Sequence, residues 1–201
     1  MELRQLTTAN ERKAFAERLS LARATKGLGF HETTVSRVGI SHISYGDLWG
    51  LFDTSDAPPE SMMAGFAVHD LATLPQSFSK PDLSGYPPGR VIEGGELWSL
   101  CAGAGKIAKA LSGAVAGIMR AEVVLIYAIK SPVDITDFYA AEGFRAACEP
   151  VVWPFAETNS GSLIVVQPMI ITGARLDRYV ERGYDAIFGA REKGRVLVIT
   201  K

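Results

Sequence analysis

Cysteine is scarce: Cys101 and Cys148 are the only two in 201 residues. They are too few and too far apart for a disulfide framework or a thiolate metal cluster. The three histidines, His31, His42 and His69, are scattered without the spacing of metal ligands. No uninterrupted apolar run reaches the ~18 residues expected of a membrane span. The first residues, Met1-Glu2-Leu3-Arg4-Gln5, form no apolar leader, so no secretory signal is expected. An excess of one charge is missing too. Twenty-one basic and 22 acidic residues leave a formal net charge of −1, which argues against a nucleic-acid binder built on phosphate contacts. The expectation is a protein of the reducing cytoplasm with neither a membrane nor a nucleic-acid partner.

What remains is the material of a globular domain. Hydrophobic residues make up 47% and charged residues 21% of the chain, and the length suffices for one substantial core. Glu2 to Thr7 reads as a first strand. A helix follows with Asn10 as its expected cap, Phe15, Leu19 and Ala22 at helical spacing, and Gly27 and Gly29 as its stop. Ile43–Asp53 and Ser61–Asp70 read as the two strands of a hairpin turned at Thr54-Ser55-Asp56-Ala57-Pro58-Pro59. The segment 71–90, rich in proline and glycine, reads as irregular, with Phe78 and Tyr86 packed on the body.

A strand from Val91 to about Cys101 then enters Gly103-Ala104-Gly105 and a helix through Met119. A strand at 123–129, a short helix at 133–142 and strands near 144–153 and 162–171 follow. A helix over 174–189 and a small strand at 195–200 complete the series. Helices interleaved with strands imply an α/β protein with a mixed central sheet covered on both faces.

Phe138-Tyr139-Ala140-Ala141-Glu142-Gly143-Phe144 resembles the FY-x-x-x-GF signature near the C-terminal end of the GNAT acyltransferase superfamily. Gly103-Ala104-Gly105-Lys106, at a helix start, resembles the superfamily's pyrophosphate-binding turn, and Met63-Ala64-Gly65-Phe66-Ala67-Val68 resembles the strand that closes its first hairpin. The order of elements matches over roughly 2–171. The expected organisation is one GNAT-like domain, 1–201, with a core at 2–171. A helix-strand extension at 172–201 would cover the sheet or build a homodimer. One departure stands out: Leu100 occupies the position of a Gln or Arg, and the loop before the glycines is shortened.

The resemblance implies an acyltransferase that takes acetyl-CoA or another acyl-CoA as cosubstrate. The acyl group would pass to a small-molecule or peptide amine by direct attack. Tyr139 takes the place of the tyrosine beside the thioester sulfur, while Phe138 reads as a core aromatic. Glu96, on the strand before the glycine turn, is the first candidate for general base. Glu93 is the second, and His69 with Asp70 the third. By strand alternation Glu96, Trp98 and Leu100 share one face, with Leu97, Ser99 and Cys101 on the other. Leu100, Cys101, Gly103, Ala104, Gly105 and Lys106 are the candidate cofactor-binding residues, because a helix N-terminus offers unpaired N–H groups and partial positive charge to an anion. Leu100 or its neighbours would also supply the oxyanion donor.

Plainer readings stand beside these. The glycines would serve strand-to-helix packing, Lys106 would be a solvated lysine, and Cys101 and Cys148 would be small core residues. Trp49, Phe78 and Tyr86 would line the acceptor pocket or lie in the core. The alternative function is a GNAT-like binding or regulatory protein without ordinary acyl-CoA catalysis. A third reading takes Leu100–Gly105 for the glycine-rich turn of an S-adenosylmethionine-dependent methyltransferase, but the next strand ends at Lys130 without the acid that such a site requires.

Overall fold

The computed structural model describes residues 1–25, 46–73, 82–86, 89–157, 163–192 and 198–200. The expected helix stop at Gly27 and Gly29, the histidines His31 and His42, the strand start at 43–45 and Phe78 lie outside the described residues. The elements in order are β1 (Glu2–Leu6), α1 (Ala9–Thr25), β2 (Asp47–Phe52), β3 (Ala64–Asp70), β4 (Val91–Ser99), α2 (Ala104–Ile118) and β5 (Val123–Ser131). They continue with α3 (Thr136–Ala140), β6 (Arg145–Ala146), β7 (Val151–Glu157), β8 (Leu163–Thr172), α4 (Gly173–Glu192) and β9 (Val198–Thr200). The strands form one sheet in the order β6-β8-β5-β4-β3-β2-β1-β9, with β7 also paired to β8.

The first helix shows how locally its boundary is set. Thr8, rather than Asn10, starts α1. The Glu11 N–H donates to the Thr8 hydroxyl at 3.3 Å, while Glu11 Oε2 accepts the Thr8 N–H at 3.0 Å and the Thr7 N–H at 3.1 Å. This reciprocal capping box satisfies donors that the helix itself cannot. Burial pushes the Glu11 carboxyl up, but the bonds from Thr8 and Thr7 and the nearby Arg4 outweigh it and hold the group below the usual glutamate range. A depressed carboxyl adds stability above its unfolded value and loses it as pH falls through the folded one. Thr8→Ala should therefore cost about 1 kcal/mol near neutrality. In Glu11→Gln the difference from wild type should shrink as pH falls below the ordinary glutamate range. Denaturant titrations near pH 7 and about pH 3 check both; a pH-independent difference would remove Glu11 from the account.

The sheet is covered on both faces, and the alternation along β2 shows why. Leu48 and Phe52 face α1, where they pack with Phe15, Leu19 and Trp98. Trp49 and Leu51 point the other way, into a core closed by Leu111, Val115 and Tyr179. Trp49 is thus a core residue on the face opposite α1. A third cluster of Leu71, Val123, Leu125 and Ile170 is capped by Leu83 and Tyr86, so these two residues of the segment before β4 pack on the body.

The short helix begins later than the sequence pattern predicts, because the Asp134 carboxylate accepts the Thr136 N–H (2.9 Å) and hydroxyl (2.6 Å). The single strand expected near 144–153 is broken into β6 and β7, and Pro150, which has no N–H to give, lies in the break. Within 172–201, α4 lies along α2 and β9 pairs in parallel with β1 at the far end of the sheet.

Candidate active site

Two irregularities mark the centre of the sheet. β4 and β5 are parallel neighbours only from Val91↔Val123 to Gly94↔Ile126, after which β5 continues with β8 while β4 continues with β3. Along the β3–β4 ladder, Gly65 pairs with Trp98 and Ala67 with Gly95, so Glu96 and Leu97 both stand opposite Phe66. This is a β-bulge, and Glu96 sits in the left-handed region at φ 54°. Bulges re-aim side chains, and non-glycine residues with positive φ concentrate at functional sites.

Glu96 is buried and forms an ion pair with Arg23 near the end of α1. Trp98 packs edge-on against Phe15 of α1 at 5.6 Å, and Leu100 joins the same cluster, while Leu97 belongs to the opposite core. The expected alternation therefore holds. Glu93 is buried opposite His69 in the ladder. Burial first, and then the charges of Glu93 and Cys148, push the Tyr127 phenol above its ordinary value. Asp70 is committed elsewhere, to Arg90 Nε at 2.8 Å and to the Ala72 N–H at 3.0 Å.

Tyr139 lies half-buried on α3, which follows β5. Its ring meets Phe138 at 5.1 Å and Phe144 at 5.9 Å, both edge-on. Burial, then Tyr179 and then Glu96, push the phenol well above the usual tyrosine range. The charge on Glu96, from the α1 side of the sheet, is thus felt at Tyr139 on the α2 side. A phenol held in its neutral form is a proton donor. Phe138 is corrected from a core aromatic: it is 36% exposed.

The glycine turn is attached to the end of β4. The Leu100 N–H donates to Met63 O at 2.9 Å, so Leu100 is bound into the hairpin and offers no donor. Gly103 caps α2 in a left-handed conformation at φ 80°, and a Cβ there would meet nothing within 4 Å. Its glycine is needed for conformation and lies in open space. Gly105 differs, since a Cβ would come within 2.9 Å of Ser99 Oγ; here the packing reading holds. The N–H groups of Cys101, Ala102, Gly103 and Gly105 take no backbone acceptor among the described residues. Ala104 is buried at the start of the helix, whereas Lys106 is exposed. Cys101 and Cys148 are exposed, which corrects their reading as core residues: one lies two residues past the end of β4 and the other lies between β6 and β7.

Sequence reasoning missed Arg23, Lys109, Glu142 and Arg182. Lys109 carried a signal, because it is a charge inside the otherwise apolar stretch Ile107-Ala108-Lys109-Ala110-Leu111. It is buried, with its ammonium 2.8 Å from Glu142 Oε1. Among the described residues no three His, Cys, Asp or Glu side chains gather as a metal site, and no helix is long and apolar enough to cross a membrane.

No family model matches the chain, and no curated protein matches it. Solved structures do. FeeM, an N-acyl amino acid synthase from uncultured soil microbes, superposes with a TM-score of 0.56 at 10% identity, covering 90% of this chain and 98% of that one. NAA60 of Arabidopsis thaliana in complex with acetyl-CoA gives 0.52 at 16% identity, with 84% and 96% covered. A Bacillus subtilis acetyltransferase in complex with CoA gives 0.53 at 12% identity, with 86% and 98% covered. The chain has the GNAT fold, a mixed α/β sheet of the N-acetyltransferase type.

Proposed function

We propose that this protein is an acyltransferase that moves an acetyl or other acyl group from acyl-CoA to an amine of a small molecule or peptide. The observation that carries the reading is the point where the pairing of β4 with β5 ends, flanked by the Gly103 turn after one strand and by Tyr139 after the other. Acyl-CoA supplies an activated thioester. The turn from Cys101 to Gly105 would hold its phosphates through backbone N–H groups at the positive end of α2, with Lys106 adding charge from the surface. Tyr139 would give its proton to the departing sulfur. Glu96, or a water beside it, would take the proton of the attacking amine. A cytoplasmic setting, and an extension that builds a homodimer, belong to the same proposal.

Calorimetric titration with acetyl-CoA, alongside free coenzyme A and S-adenosylmethionine, tests the first step. Saturable binding of the two coenzyme A species alone is expected. Gly103→Val places a β-branched side chain at φ 80° in the path of the phosphates and should weaken acetyl-CoA at least ~10-fold in a protein that still folds. Normal affinity in that variant would sink the assignment of the turn.

A second reading has its own support. The Arg23–Glu96 ion pair occupies the candidate base, and Leu100 has no N–H to offer. Both fit a GNAT-like protein that binds a ligand without transferring acyl groups. Binding of acetyl-CoA with no turnover across an amine panel would favour it.

A further inference from the structure

We propose that Lys109 is a positioning residue for Tyr139, locking the helix of the glycine turn to the helix that carries the tyrosine. The inference rests on the acyltransferase reading of Tyr139. The Lys109 ammonium donates to the Phe138 carbonyl at 2.9 Å, pairs with Glu142 Oε1 at 2.8 Å and lies 3.6 Å from the centroid of the Phe138 ring. All three contacts fall within the segment 138–142 that brackets Tyr139. The Phe138 carbonyl belongs to the peptide unit that leads into Tyr139, so anchoring it fixes the backbone from which the phenol projects.

The helix needs such an anchor. α3 is five residues long, too short to hold its own shape. Its closing turn bypasses the Phe138 carbonyl: the Glu142 and Phe144 N–H groups donate to Tyr139 O, and the Gly143 N–H to Ala140 O. That carbonyl takes the lysine instead. Glu142 is braced from behind, because Arg182 of α4 donates to its Oε2 at 2.7 Å and to its carbonyl at 3.2 Å. One carboxylate therefore joins α2, the end of α3 and α4.

A lysine is a costly choice for this place. An ammonium withdrawn from water is unfavourable unless it is fully partnered, and a position needing bulk alone would take leucine or methionine. The compensation lies in directed bonds. Lys109 is one helical turn from Gly105, so the turn proposed to hold the phosphates and the tyrosine proposed to meet the sulfur form one rigid frame.

A double-mutant cycle on the full-length protein tests the assignment. With acetyl-CoA and a responsive amine, Lys109→Met should lower kcat by at least ~10-fold while acetyl-CoA affinity stays within ~2-fold. In a Tyr139→Phe background the same change should alter kcat by less than ~2-fold, because the group being positioned is already gone. Lys109→Arg should recover most of the rate. Equal losses in both backgrounds would overturn the proposal, as would no loss from Lys109→Met in the otherwise wild-type protein when Tyr139→Phe is itself damaging. If Tyr139→Phe leaves turnover unchanged, the acyltransferase role of that tyrosine fails. Amide exchange then decides the structural half: Lys109→Met should speed exchange over 136–144 and leave 9–25 unchanged. Unaltered exchange would refute the lock. Should Lys109→Met fold poorly, Glu142→Gln loosens the same ammonium without a change of shape and must obey the same cycle.

Discussion

Tyr139→Phe should lower turnover by about 100-fold and leave acetyl-CoA affinity within ~2-fold, since proton transfer from a placed side chain contributes at least that much. The substitution keeps the ring and both edge-on contacts, with Phe138 and Phe144, and removes the hydroxyl alone. A packing role would therefore survive it, and a chemical role would not. The pH profile carries the same information with a sign. Burial, Tyr179 and Glu96 all raise the phenol, so the donor stays protonated through neutrality and beyond the ordinary tyrosine value. The wild-type kcat should show no alkaline fall due to Tyr139 below about pH 10. Steady-state rates and calorimetry on the two proteins settle the matter. Unchanged kcat in the phenylalanine variant removes Tyr139 from the chemistry.

The largest effect on stability is expected at Gly183, on the face of α4 that meets α2. A Cβ there would collide with the Ala114 backbone N–H, with Ala110 O at 2.7 Å and with Ala114 Cα at 2.9 Å. Backbone lies on the receiving side, so no side chain can swing away. Gly113 mirrors it, since its own Cβ would strike the Tyr179 carbonyl. Gly183→Val should cost about 3 kcal/mol, because overpacking exceeds the ~0.5 kcal/mol that a better helix former returns. For a chain of this size that is a fall of roughly 6–12 °C in Tm. Gly189 of the same helix is the control, with nothing within 4 Å of a Cβ. Gly189→Ala should be neutral or stabilising by about 0.5–1 kcal/mol. Calorimetric melts compare the pair, and equal Tm values for Gly183→Val and wild type would show that the helices separate freely.

Much of this architecture was legible because its signals are local. Alternation along Asp47–Phe52, the proline-bearing turn after it and the helical spacing of Phe15, Leu19 and Ala22 each correspond to an element of the fold. So do Gly103, with its positive φ, and the Phe138-to-Phe144 signature, whose glycine has φ 100°. The misses share another character. Asn10 offers a single capping oxygen, whereas the boundary is set by the reciprocal pair of Thr8 and Glu11. Arg23 meets Glu96 across 73 residues, and Arg182 meets Glu142 across 40. No window in the sequence spans either pair. Phe138 and the two cysteines read as core by residue type, but all three lie outside the strands, Phe138 on the short α3 and the cysteines in connections, and are exposed.

The parallel pairing of β9 with β1 bears on how the molecule comes together. Glu2 stands beside Val198, and the Thr200 hydroxyl donates to Glu2 Oε1 at 2.6 Å. In a disordered chain, closing so large a loop for a ladder of three paired residues costs on the order of 5 kcal/mol, more than the ladder returns. Once the other strands are in place, the two partners are already neighbours and that entropy has been spent. The ladder thus behaves as a seal: it can close only on a sheet that is otherwise assembled, and it adds its bonds to the cooperativity of the whole.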